Sequence, residues 1–278
     1  MVRPAAAESA TVEATTVEEV LAALDAAVAG ARDRRDRAGY FAALYRSVTA
    51  KVKEGIDAGF FDDGPRMARL DVVFANRYLA AFAQFAAGGT PSRSWAVAFQ
   101  TATAWRPIVL QHLLLGINAH INLDLGIAAA VVAPGGALPG LRRDFDRINE
   151  ILALLVAQVK TDLRQVSPLM GLLDLAGGRY DEELIRFSIE VARTEAWRFA
   201  VELAPLDPAV WSGPVGARDV RVARLARVVR DPGLGLRAAL LAIRAVETGD
   251  VRSVIDVLDG VEPPSLARVE AGVRAGAP

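Results

Sequence analysis

Both histidines of the chain, His112 and His120, fall in the stretch from Gln111 to Gly126, which also carries Asn118, Asn122 and Asp124. The residues interspersed among these polar ones are apolar. Histidine titrates nearer neutrality than any other side chain and is the commonest metal ligand. A chain that confines its imidazoles to one oily segment beside a carboxylate points to chemistry there. If the segment is helical, His112, Gly116, His120 and Asp124 lie along one slanting i, i+4 stripe, with Gln111, Asn118 and Asn122 nearly opposite. His120 and Asp124, about 6 Å apart along the axis, can share a divalent cation or form a pair in which the carboxylate fixes the imidazole tautomer. His112 lies about 12 Å from His120, too far for easy sharing of one ion on a straight helix. Gly116, between the two imidazoles, leaves room for a ligand against the backbone.

Other residues could converge on this floor. Asp71 and Tyr78 share a helix face and could bring a second carboxylate and a phenol; an Asp71–arginine pair is the plain alternative. Arg193 could bind a carboxylate bidentately, and Trp197 could wall a pocket or sit in the core. Asp144 and Asn149 flank an apolar stripe and are expected at the surface. Trp105 and Arg106 could form a rim.

Positioning falls to helices. Thr16 with Glu19 has the form of a capping box opening a helix towards Arg34. Helical spacing then predicts Asp36–Ala58, Arg66–Ala87, Ser92–Ala104, a central helix over about 107–133, Leu141–Gln165 and Asp181–Ala204. Pro107 suits a first helical position, and Pro134-Gly135-Gly136 ends the central helix. No sustained alternation predicts strands. The expected fold is all-α: a multi-helix bundle over residues 16–205 around a buried central helix, preceded by a disordered segment over 1–15. A short-helix C-terminal appendage over 206–278 is expected to pack on the bundle. Its arginines at 218, 221, 224, 227 and 230 read as a solvated helix face.

Hydrophobic residues make up 53% of the chain, enough for a large core, and aromatics only 6%. A net charge of −1 gives no basic footprint for nucleic acid. The absence of cysteine excludes disulfides, thiolate metal sites and a thiol nucleophile. No basic segment followed by a short apolar run opens the chain, so a cytoplasmic protein is expected. From Pro107 to Ala133 the sole formal charge is Asp124, and the run is long enough to cross a bilayer. Its mid-segment histidines, asparagines and carboxylate argue instead for a buried helix and no membrane span. There is no His-Glu-x-x-His spacing, phosphate-cradling glycine loop, nucleophile elbow or pair of Glu-x-x-His motifs.

The segments Arg69–Tyr78, Pro107–Gly126 and Ala192–Trp197 resemble an actinobacterial family designated domain of unknown function 5995, over about Leu21 to Pro205. The run Asn118-Ala-His-Ile-Asn-Leu-Asp124 is the most specific part. The resemblance implies a whole-domain helical protein and marks Asp71, His112, Asn118, His120, Asn122 and Asp124 as motif positions. It supplies no reaction.

Two functions are compatible with these residues. One is an enzyme acting on a small, fairly apolar molecule, such as a lyase, cyclase, isomerase or hydrolase. Its catalytic groups would be His112, His120, Asp124 and Asp71, with Asn118, Asn122, Gly116, Tyr78, Arg193 and Trp197 binding substrate, and a divalent metal on His120 and Asp124 as a variant. The other is a non-catalytic binding or scaffold protein whose buried polar strips hold the helices together. The oligomeric state does not follow from the sequence.

Overall fold

A computed structural model describes residues 13–167, 189–247 and 249–260, and among these every regular element is helical. In order they are α1 (Val17–Arg34), α2 (Gly39–Asp57), α3 (Gly64–Ala86), α4 (Arg93–Ala102) and α5 (Val109–Ala119), then a π-helical segment (His120–Leu125) and α6 (Gly126–Val132). There follow α7 (Leu138–Val166), α8 (Ile189–Leu203), α9 (Ser212–Arg230), α10 (Leu234–Val246) and α11 (Val251–Asp259). The segment expected to be disordered lies outside the described residues as far as residue 12. Ala14 exchanges two hydrogen bonds with the Asn76 amide, at 3.0 and 2.7 Å. The first turns of the helix expected from Asp181 also lie outside the described residues.

The helix starts follow local chemistry. Thr16 accepts from the Glu19 N–H at 3.1 Å, while the Glu19 carboxylate reaches Thr15 rather than Thr16. Asp63 caps α3, with Pro65 in its first turn, where a missing N–H costs nothing. Two further caps come from distant carboxylates. Asp219 of α9 accepts from the N–H groups of Arg93 and Ser94 at 2.8 and 2.9 Å, countering the positive end of α4. Asp144 of α7 does the same for Asp62 and Asp63, and also pairs with Arg66 at 3.2 Å. This corrects the surface position expected for Asp144, which is fully buried: a carboxylate can enter the interior when backbone donors at a helix start await it.

The α5–π–α6 rod is the hub, contacted by α2, α3, α4, α8 and α9. Two cores lie along it. One, at the α5 end, includes Leu24, Phe41, Trp95, Leu113 and Leu115. The other, at the α6 end, includes Leu123, Phe145, Phe199 and Leu203. The run Val109–Val132 is long and apolar enough to cross a membrane, yet most of it is buried within the fold. Beyond Pro205, α9 supplies Val222 and Ala226 to these cores, and α11 packs on α1, α2 and α7.

Close approach to the rod depends on glycine. A Cβ at Gly126 would stand 2.6 Å from the carbonyl oxygen of Ala196 in α8. Because that neighbour is backbone, no rotamer change can relieve the clash. Gly126→Ala is therefore expected to destabilise the protein by about 1–3 kcal/mol, the usual cost of overpacking, read as a lower urea midpoint in tryptophan fluorescence.

Candidate functional site

The hydrogen-bonding register widens at His120, from i→i−4 to the i→i−5 pattern of the π-helix. Six buried residues, His120 to Leu125, make up this wide turn, and π turns are frequent at functional positions. His120 and Asp124 remain on one side of it, with Nδ1 of the imidazole 3.6 Å from Oδ2 of the carboxylate. That is beyond hydrogen-bond distance but close enough for charge to matter.

Asp124 is held by two groups the sequence did not single out. Arg77 of α3 donates from Nε to Oδ1 at 2.9 Å, and Trp95 of α4 donates from Nε1 to Oδ2 at 2.8 Å. Burial alone would raise the Asp124 pKa. The Arg77 charge, the nearby His120 imidazole and the Trp95 N–H together outweigh burial and hold it below the usual carboxylate range. Burial pushes the His120 pKa down, and Asp124 offsets this only in part, so the imidazole is neutral. An anion beside Nδ1 favours the tautomer with the proton there and leaves Nε2 as the basic lone pair.

An aromatic cage encloses the ring. Phe74 stacks on it at 3.5 Å between centroids, Tyr45 meets it edge-on at 4.3 Å, and Phe41, Trp95 and Tyr78 follow at 5.7, 6.0 and 6.1 Å. Within and beside this cage several buried polar atoms have no hydrogen-bond partner: both His120 nitrogens, the hydroxyls of Tyr45, Thr49 and Tyr78, and Oδ2 of Asp71. Tyr45 ties them together, since its phenol lies near Thr49 and feels the charges of Asp71 and Asp124. Burial raises the Asp71 pKa to about 7 and drives both phenol pKa values well up. No ion pair to Asp71 occurs among the described residues, so the expected alternative of an arginine partner is not what the structure has.

The remaining predicted residues lie elsewhere. Gly116 offers no ligand space: a Cβ there would meet the Phe41 ring at 2.4 Å, so α2 has filled the gap. His112 stands edge-on to Tyr40 at 5.6 Å. Burial, then the charges of Arg37 and Arg244, lowers its pKa to about 3. The opposite polar strip serves α9. Asn118 donates to the Val222 carbonyl at 3.0 Å, Asn122 to Asn118 at 3.1 Å, and Gln111 to the Val229 carbonyl at 2.7 Å. Arg193 is buried against α7, bonded to Asn149 and the Phe145 carbonyl, with burial lowering its pKa to about 9. Asn149, expected at the surface, is thereby engaged as an acceptor. Trp197 packs on Phe145 at 5.0 Å. Trp105 is 61% exposed.

The donor set does not suit a cation. Both oxygens of Asp124 already accept N–H groups, and no three His, Asp or Glu side chains gather around one point among the described residues. Of the cage and its supports, Arg77, Trp95, Phe41, Tyr45, Thr49 and Phe74 are not singled out as site residues by the sequence. Phe74 lies at i+3 from Asp71 on the face leading to Tyr78, a spacing that was available. Arg77 and Trp95 join the site only by tertiary pairing.

The description "family of unknown function", DUF5995, matches residues 17–232, most of the chain. The chain belongs to that family. No curated protein and no solved structure matches it. The DUF5995 match spans all the residues of the cage and continues through α9.

Removing Arg77 would strand a buried carboxylate. Arg77→Ala should cost about 3 kcal/mol, the low end for breaking a buried pair because Arg77 is a third exposed, seen in chemical denaturation. Asp71 predicts a pH effect of opposite origin. With the proton held to about pH 7 in the fold and only to 3.8 otherwise, its penalty grows as pH rises through that window and is constant above it. Asp71→Asn should therefore raise the melting temperature at pH 8, by about 2–4 °C per kcal/mol relieved, and leave it nearly unchanged at pH 4.

Proposed function

We propose that the cage around His120 is a small-molecule site in which Nε2 of His120 acts as a general base on a flat, largely apolar ligand. The observation that carries this reading is the gathering of unpartnered polar atoms around one imidazole. Buried polar groups are almost always satisfied, and those that are not call for a function. Leaving each unpaired costs about 1–3 kcal/mol, which a ligand carrying a hydroxyl or carbonyl would recover. Asp124, pinned by Arg77 and Trp95, orients the imidazole and stabilises the imidazolium formed when a proton is taken. Asp71, protonated up to about pH 7, is the group able to give a proton near neutrality. Phe74 is half-buried and stacked on the imidazole; by turning aside it would open a ring-sized slot for an aromatic or conjugated substrate. Such a site suits proton transfer in an isomerase, lyase, cyclase or hydrolase.

A second reading is favoured by the low exposure of His120, 3%, and by the engagement of Asp124: the polar interior would be a structural lock. Replacement of the imidazole separates the two. A group kept for chemistry is a burden on the fold, so His120→Leu should hold or raise the melting temperature while abolishing saturable binding of simple phenols and aromatic ketones, followed by ligand-observed NMR. A loss of stability comparable to that of Arg77→Ala, with no such ligand bound by the parent protein, would assign His120 to the lock and sink the catalytic reading.

A further inference from the structure

On the other side of the rod, α8 and α9 both pack on the π segment and leave between them an open cleft of about 580 Å³ with Asn122 and Phe199 in its lining. That volume falls within the range of about 300–1,000 Å³ typical of small-molecule sites. Arg218 borders the cleft and is buried, which corrects the solvated position expected for it. Its Nε donates to the Asn122 carbonyl at 2.7 Å, its guanidinium lies 5.4 Å from the Phe199 ring centroid, and its NH1 is 3.6 Å from Glu195, too long for a hydrogen bond. Glu195 also serves Arg198, so one carboxylate is divided between two guanidinium groups. Arg221, on the same face one turn further along α9, makes no hydrogen bond or ion pair among the described residues.

The charges of this cleft do not cancel. Arg198, Arg218 and Arg221 face Glu195 and Glu202, leaving one positive charge in excess. Burial lowers the Arg218 pKa despite Glu195 and Glu202, consistent with a cation short of counter-charge. Phe199, Val222 and Leu225 provide an apolar wall beside the arginines.

We infer that the cleft between α8 and α9 binds a small organic monocarboxylate, its anion forked between Arg218 and Arg221 and its apolar body laid on Phe199, Val222 and Leu225. A single excess positive charge suits a monoanion, and the two glutamates oppose a more highly charged phosphate. The guanidinium fork matches a carboxylate geometrically. The site is separate from the His120 cage, which occupies the opposite face of the same π turn.

Titration of the full chain with hexanoate, by calorimetry and saturation-transfer NMR, tests this. Saturable one-to-one binding is expected, with hexanamide at least about tenfold weaker, as loss of charge-assisted hydrogen bonds implies. Arg221→Gln should weaken hexanoate at least about tenfold with an unchanged melting curve, because Arg221 is exposed. Leu225→Trp should block the cleft, and His120→Leu should leave binding intact. Equal binding of hexanoate and hexanamide, full binding by Arg221→Gln, or no saturable binding at millimolar ligand would overturn the inference. Displacement of hexanoate by equimolar inorganic phosphate would assign the cleft to phosphate instead. Loss of binding in His120→Leu alone would move the ligand to the cage.

Discussion

Placing an ionised carboxylate in an oily interior costs several kcal/mol unless donors and a counter-charge meet it there. Asp124 meets both: the Arg77 guanidinium on one oxygen and the Trp95 indole on the other. Because those donors come from α3 and α4, satisfying this one charge fixes two helices against the middle of the rod. The cage follows from that placement. Arg77 and Phe74 lie on the same helix, so the pairing of Arg77 brings Phe74 over the imidazole, and Trp95 brings α4 against Phe41 and Tyr78.

The rod carries two kinds of polar surface with different fates. Towards α9, Gln111, Asn118 and Asn122 find backbone carbonyls or one another, and are used up in docking that helix. Towards α2 and α3, His120 finds rings rather than hydrogen-bond partners, with Tyr45, Thr49, Tyr78 and Asp71 left in the same condition. The contrast matters because both faces belong to one helix of one composition. A fold that satisfies one polar strip so fully does not leave the other bare for want of donors in the chain.

Much of the architecture was legible. The all-α class, the helix sequence and the buried central segment follow from apolar periodicity and from Pro and Gly at the breaks. The π turn was not: it adds no distinctive residue type, and a reading at 100° per residue assumes a uniform helix. Gly116 shows the same limit from another side. Its missing side chain suggests room for a ligand, yet an aromatic ring from α2 fills it, and a sequence does not say which neighbour reaches a gap first. Asp144 was not legible as a buried cap because the N–H groups that receive it belong to a helix start more than eighty residues away.

By itself the sequence determined that imidazole, carboxylate and amide groups would be buried together near the middle of the chain, since a long apolar run must leave water and its mid-segment polar groups favour a protein interior over a bilayer. The tertiary structure alone decided which of them would be satisfied. Hydrogen bonds between distant helices depend on distances of a few tenths of an ångström. Periodicity fixes the direction a residue faces but not what stands opposite, and so Asn118 became a docking contact while His120 was left unpaired among aromatic rings.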